Sequence, residues 1–278
     1  MIKSYVTGFP RIGEKRELKR ALEGLWAGKE GFSEENLLSV AKTLKNRHWQ
    51  YQKDAEISAI SVNDFSFYDL MLDSIVAFGA VPPRFANLSG REQYFACARG
   101  NKTGVAMEMT KWFNTNYHYI VPELSAETTF KLDASKILAE YEEAKAAGVK
   151  GKVNLIGPIT FLALSKTTDG SCPFKNINAL VAEYKKLLEL LSTLDDEVLV
   201  QFDEPIFATD KNEEILLSVI GKVYNELAEA ANNVKIVFMT YFEHALKAVA
   251  EVAKTKIYGI GLDSVSYTHL RAHETVLD

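Results

Sequence analysis

The segment Gly8-Phe9-Pro10-Arg11-Ile12-Gly13-Glu14-Lys15-Arg16-Glu17-Leu18-Lys19-Arg20 concentrates cations directly after a short strand-like run. Gly8, Pro10 and Gly13 shape a loop, and the helical pattern that follows starts near Glu14. Arg16, Lys19 and Arg20 then fall on one flank of the helix, away from the Leu18/Leu22/Leu25 stripe. Cations beside a helix N-terminus attract an anion, both by charge and by free backbone N–H groups. A solvated charged face with Glu14 and Glu17 as internal partners accounts for the same residues, and composition alone leans toward it.

A second concentration, Met109-Thr110-Lys111-Trp112-Phe113-Asn114-Thr115-Asn116-Tyr117-His118-Tyr119, places a cation, a tryptophan, amides and tyrosines around one strand start. Aromatic faces beside a lysine and amide groups suit a flat, polar, anionic ligand. An aromatic strand buried under helices is the alternative, and His118 itself reads as a satisfied core histidine. Gln201-Phe202-Asp203-Glu204-Pro205 and Asn63-Asp64-Phe65-Ser66 end two further strand-like runs with carboxylates. Paired carboxylates beside a cavity perform acid–base work, as in glycoside hydrolysis. Hydrogen bonding at a strand end uses the same residues. Metal-ligand spacing is poor: His48, His118 and His244 are isolated, and neither Cys97 nor Cys172 has a nearby His. His269 and His273 have i,i+4 spacing but lack the Glu of an HExxH site. Phosphate-binding glycine loops and a GxSxG elbow are absent.

The elements that must position these groups alternate along the chain. Strand-like runs fall at Lys3–Thr7, Ile57–Asn63, Asn116–Val121, Val153–Ile156, Val198–Asp203, Lys235–Thr240 and Lys256–Leu262. Helical periods cover Glu17–Ala27, Glu34–Asn46 after the capping residue Ser33, Ala134–Ala147, Asn178–Leu191 and Glu213–Ala231. Strands of near-continuous apolar character alternating with helices imply α/β architecture with parallel strands. About seven units fit a (β/α)8 TIM barrel better than an open sheet. The pattern has no linker, repeat or charge block, so one incomplete or nearly complete barrel is expected. The 278 residues are 47% hydrophobic with a net charge of −5, which excludes disordered classes and gives no basic field for nucleic acid. Two cysteines without CxxC spacing suit a reducing compartment. Without an apolar leader or a membrane-length stretch, a soluble, cytoplasmic protein with no membrane partner is expected.

Several of these segments together resemble the cobalamin-independent methionine synthase family. They are Gly8–Gly13 with Arg16–Lys19, Asn63–Ser66 with Tyr68-Asp69, Tyr94–Gly100, Glu108–Glu123, Leu155–Leu162, Gln201–Pro205 and Thr240–Phe242. They occur in family order and span residues 3 to about 263. The resemblance implies a fold of two face-to-face (β/α)8 barrels, of which this chain matches the N-terminal one, truncated before closure. It implies transfer of a methyl group from 5-methyltetrahydropteroyltri-L-glutamate to L-homocysteine, without cobalamin. Arg16, Glu17, Leu18, Lys19 and Lys111 match family positions that bind the folate substrate. Several γ-linked carboxylates require several cations, in agreement with the first-loop cluster.

The resemblance also implies what this chain lacks. The family's zinc ligands, its homocysteine site and its proton-donating His belong to the C-terminal barrel. No catalytic or metal residue is therefore expected in this chain, and the isolated fragment is expected to be inactive; the full-length enzyme is expected to be a monomer. Residues 1–263 read as the folate-binding barrel. Residues 264–278 read as a non-family tail resembling translated adapter sequence. Two other readings stand beside this one: a folate-binding module without catalysis or a non-functional fragment, and a carbohydrate-active barrel using Asp203 and Glu204.

Overall fold

The structure, a computed structural model, describes residues 4–263. In chain order the helices are α1 (Glu17–Trp26), α2 (Glu34–Asp54), α3 (Leu70–Ala77), α4 (Gly90–Arg99), α5 (Ser135–Ala146), α6 (Pro158–Ala163), α7 (Ile177–Ser192), α8 (Glu213–Ala228) and α9 (Leu246–Val252). The strands are β1 (Ile60–Val62), β2 (Met109–Lys111), β3 (His118–Ile120), β4 (Glu123–Leu124), β5 (Gly151–Ile156), β6 (Lys166–Thr167), β7 (Val198–Asp203), β8 (Val234–Met239) and β9 (Gly259–Gly261). The chain forms two units, Met1–Leu70 with Ser135–Asn154, and Met71–Ala134 with Leu155–Asp278.

In the first unit β1 pairs with β5 in parallel, Ile60 opposite Gly151 and Val62 opposite Val153. The expected first strand, Lys3–Thr7, is reduced to one parallel bridge, Tyr5 to Ala59, and Lys3 lies outside the described residues. Side chains replace the ladder there. Lys152 is only 2% exposed, and its Nζ donates to the Val6 carbonyl at 2.9 Å. Ser61 Oγ donates to the same carbonyl and Asn154 Nδ2 to that of Thr7. Ser33 caps α2 by accepting the Asn36 N–H at 3.1 Å. That helix continues eight residues beyond the expected end at Asn46, because Leu37, Ala41, Leu44, His48, Trp49 and Gln52 form one unbroken buried stripe. Arg47 and His48 sit inside the helix rather than closing it.

In the second unit β7 and β8 pair in parallel from Val198–Val234 to Asp203–Met239, and β9 adds to β8. Val198, Val200 and Phe202 are fully buried, as are Leu180, Tyr184, Leu187, Leu188 and Leu191 along one face of α7. Phe78, Tyr184, Phe202, Tyr224 and Phe238 form a chain of ring contacts 4.1–6.1 Å apart. The parallel strands alternating with helices give the expected α/β class. The region around Asn116–Val121 departs from it: β2 and β3 form an antiparallel hairpin, Met109 opposite Ile120 and Lys111 opposite His118. Among the described residues no helix is long and apolar enough to cross a membrane.

Candidate functional site

The helix expected from Glu14 begins only at Glu17. Gly13 has φ +84° and Arg16 has φ 57°, both left-handed, and Arg16 N–H closes a turn on the Gly13 carbonyl at 3.0 Å. Left-handed geometry is disfavoured for a side chain such as arginine, so other contacts must hold it. Three residues of α2, spaced i, i+1 and i+4, supply them. Arg47 Nη2 donates to Glu17 Oε1 at 2.8 Å, the His48 ring lies 4.7 Å from Phe9, and Tyr51 Oη donates to Glu14 Oε1 at 2.7 Å. Glu17 Oε2 in turn accepts the Lys15 N–H at 2.9 Å. The hydrogen bond from Arg47 is the main reason the Glu17 carboxyl is held down to about 2. A Cβ on Gly13 would come within 2.4 Å of Glu17 Oε2, so only glycine admits this carboxylate.

The front of the loop is anchored separately. Phe9 N–H donates to Asp64 Oδ2 at 2.7 Å, and burial raises the Asp64 carboxyl to about 6. Arg11 Nε donates to Ser66 Oγ at 3.0 Å and its Nη2 to the Tyr68 carbonyl. With Arg11 and Arg47 occupied, the outward cations are Lys15, Arg16, Lys19 and Arg20, all exposed. Among the described residues Lys15, Arg16 and Arg20 form no ion pair, and Lys19 has a loose one, 3.7 Å from Glu23. The four contiguous positions Arg16–Lys19 therefore divide. Arg16 and Lys19 face solvent, Glu17 faces Arg47, and the Leu18 side chain is fully buried with its N–H on the Ile12 carbonyl.

Lys111, in the second unit, ends β2 and is exposed. The hairpin turn beside it is held by Trp112 N–H to the Tyr117 carbonyl at 2.8 Å and by Thr115 Oγ1 to the Trp112 carbonyl at 2.7 Å, with Phe113 at φ 49°. Trp112 packs on Tyr119 at 4.8 Å. His118 is exposed, which corrects its reading as a core histidine: it starts β3 on the solvent side, ahead of buried Tyr119 and Ile120.

The carboxylates at the end of β7 are engaged within the protein. Glu204 is fully buried; Oε1 accepts the Ile159 N–H at 3.1 Å and the Tyr224 hydroxyl at 2.7 Å, and Oε2 accepts the Thr160 N–H at 2.6 Å. Burial raises its carboxyl to about 7. It thus closes the first turn of α6, whose amides lack helical partners. Gln201 Nε2 donates to Asp203 Oδ1 at 2.6 Å. Glu204 has no face toward a substrate, so the glycosidase reading has no support here.

The sequence profile of a family described as "Cobalamin-independent synthase, N-terminal domain" matches residues 3–276. The chain belongs to this family. Within it, the chain is 52% identical over 264 residues to the 5-methyltetrahydropteroyltriglutamate–homocysteine methyltransferase of Desulforamulus reducens. It is 44% identical over 263 residues to that of Mycobacterium tuberculosis. Each alignment covers 94% of this chain and 34% of the relative, so the chain spans about a third of these relatives' length. A B12-independent methionine synthase structure from Shewanella sp. W3-18-1 matches with a TM-score of 0.53 at 16% identity. That likeness covers 80% of this chain and 57% of the other, and supports the fold.

The cobalamin-independent synthase resemblance also involves zinc, and the residues present do not fit it. His48 packs on Phe9, Cys97 is buried with its thiol raised to about 11, and Cys172 is exposed. Among the described residues no three His, Cys, Asp or Glu side chains are grouped to hold a metal. His269 and His273 lie outside the described residues.

Proposed function

We propose that this chain is the folate-holding part of a 5-methyltetrahydropteroyltriglutamate–homocysteine methyltransferase, taking the substrate by its polyglutamate tail. The observation that carries this is the outward cationic edge at the start of α1, in a chain 52% identical to a relative of that name. The γ-linked tail is a flexible string of carboxylates, and Arg16 and Lys19 offer charges to it. Lys111 offers a further charge beside the aromatic hairpin. Leu18 contributes by rooting α1 in the core, so that its neighbours project from a fixed base. Residues 1–263 carry this role, and residues 264–278 stand outside it. Homocysteine, and the chemistry that activates its sulfur, are assigned to the portion of the relatives that this chain does not span.

Exposed cation–carboxylate pairs contribute about 0.2–1 kcal/mol each. The two extra carboxylates of a triglutamate, meeting two such cations, should raise affinity roughly tenfold over the monoglutamate at low salt. Fluorescence titration of both pteroyl compounds tests this. The preference should shrink with added salt and in Lys19→Ala and Lys111→Ala. Equal affinity of the unsubstituted chain for the two compounds would refute the reading.

A further inference from the structure

We propose that Glu17 and Arg47 are positioning residues for anion capture: they touch no ligand, and they lock the left-handed turn that turns Arg16 and Lys19 outward. This rests on the polyglutamate reading above and adds a part to it. The Glu17 carboxylate is fully engaged within the protein. One oxygen takes Arg47 Nη2 at 2.8 Å and the other takes the Lys15 N–H at 2.9 Å. Its position is reinforced by Gly13, whose bare Cα leaves room for the carboxylate and whose φ of +84° starts the turn. Three residues later Arg16 adopts φ 57° with no side-chain cap of its own. Glu17 thus ties the peptide between Gly13 and the strained Arg16 to α2. Without that tie the turn can relax toward ordinary helical geometry, and Arg16 would swing round the helix relative to Lys19. The carboxyl is ionised through the physiological range even at its ordinary pKa, and Arg47 lowers that pKa further, so the tie is permanent rather than switched.

The sign of one substitution separates this from simple electrostatics. Removing a negative charge beside a cationic cluster should strengthen anion binding roughly twofold. Loss of the tie should instead weaken triglutamate binding about tenfold, since charge-assisted hydrogen bonds hold the turn. The experiment compares pteroyltriglutamate and pteroylmonoglutamate affinities for the unsubstituted 278-residue chain, Glu17→Gln, Arg47→Gln and the double variant, with circular dichroism melts alongside. Each single change is expected to weaken the triglutamate about tenfold while leaving the monoglutamate within twofold. The double variant should be no worse than the singles, because both remove one device. Triglutamate binding by Glu17→Gln that equals or exceeds the unsubstituted chain would overturn the proposal. If Glu17→Gln does not fold, Arg47→Lys decides the matter: it keeps every charge, loses only the planar fork, and should still weaken the triglutamate several-fold. Unchanged binding by Arg47→Lys in that case overturns it. A lack of triglutamate preference in the unsubstituted chain fails the polyglutamate reading, a result distinct from either of these.

Discussion

Glu204 makes an unusual demand on the pH dependence of stability. Its carboxyl is fully buried at the end of β7, facing Tyr224 from α8, Tyr184 from α7, and Tyr241 and Asp203 at the ends of β8 and β7. Burial raises its pKa in the folded chain from 4.5 to about 7. Between those values the folded protein keeps a proton that the unfolded chain has released, so the unfolded state binds fewer protons and stability falls as pH rises. At ~1.36 kcal/mol per pH unit the loss attributable to Glu204 comes to about 3 kcal/mol between pH 4.5 and 7, with no further change above. Buried carboxylates in ion pairs behave in the opposite sense, and Asp64, raised from 3.8 to about 6, adds a fall of the same sign as Glu204 that ends at a lower pH. The comparison with Glu204→Gln cancels the contributions of all other groups. Urea unfolding followed by far-UV circular dichroism, run on both chains from pH 4.5 to 8, should show Glu204→Gln gaining about 3 kcal/mol relative to the parent as pH rises, whatever its offset at pH 4.5. A difference independent of pH, or one that moves the other way, would refute the burial argument and mean that the three donors hold Glu204 ionised.

Two further expectations concern packing. Gly157→Ala should destabilise the chain by about 1–3 kcal/mol or more, because the new Cβ would lie 2.2 Å from the Glu204 carboxyl in a fully buried site; equilibrium unfolding reads this directly. In the native chain Cys172 should react with maleimide and Cys97 should not, since Cys97 is buried with its thiol raised to about 11; mass spectrometry of the labelled protein gives the site.

Where the sequence was a good guide, one local pattern determined the outcome. Val198–Asp203 is read as a strand with the bounds it has in the structure, because Val198, Leu199, Val200 and Phe202 make the run predominantly apolar, as expected of a strand covered on both faces. The helical periods of α1, α5, α7 and α8 lie within a few residues of the observed ends. The expectations failed where the deciding partner is remote. Basic residues imply an end for α2, yet His48, Trp49 and Gln52 extend its buried stripe. The β2–β3 hairpin has no glycine at its turn, and Phe113 supplies the positive φ instead. Three helices, α3, α6 and α9, span only 6–8 residues each, too short for a clear period. In the first loop the cations were legible, but the parts that aim them were not. Arg47 lies 30 positions from Glu17, and Arg11 reaches Ser66 across 55. Glu204 looked like a candidate acid because its amide partners lie 44 and 45 residues upstream.

The side-chain stitching of the first segment has a consequence for how the chain is made. Val6 and Thr7 are fastened by Lys152 and Asn154, separated from them by 146 and 147 residues. On a ribosome those partners leave the exit tunnel many seconds after the segment they hold, at roughly 5–20 residues per second. Until then the opening residues have nearer partners: Ser4 pairs with Glu56 and Ser58, Tyr5 with Ala59, and Val6 with Ser61. The cationic loop grows from a footing that is laid late, after the intervening α3, α4 and hairpin have already emerged. Contacts of such long sequence separation are slow to close, so the loop that meets the ligand should be among the last parts of its unit to reach native geometry.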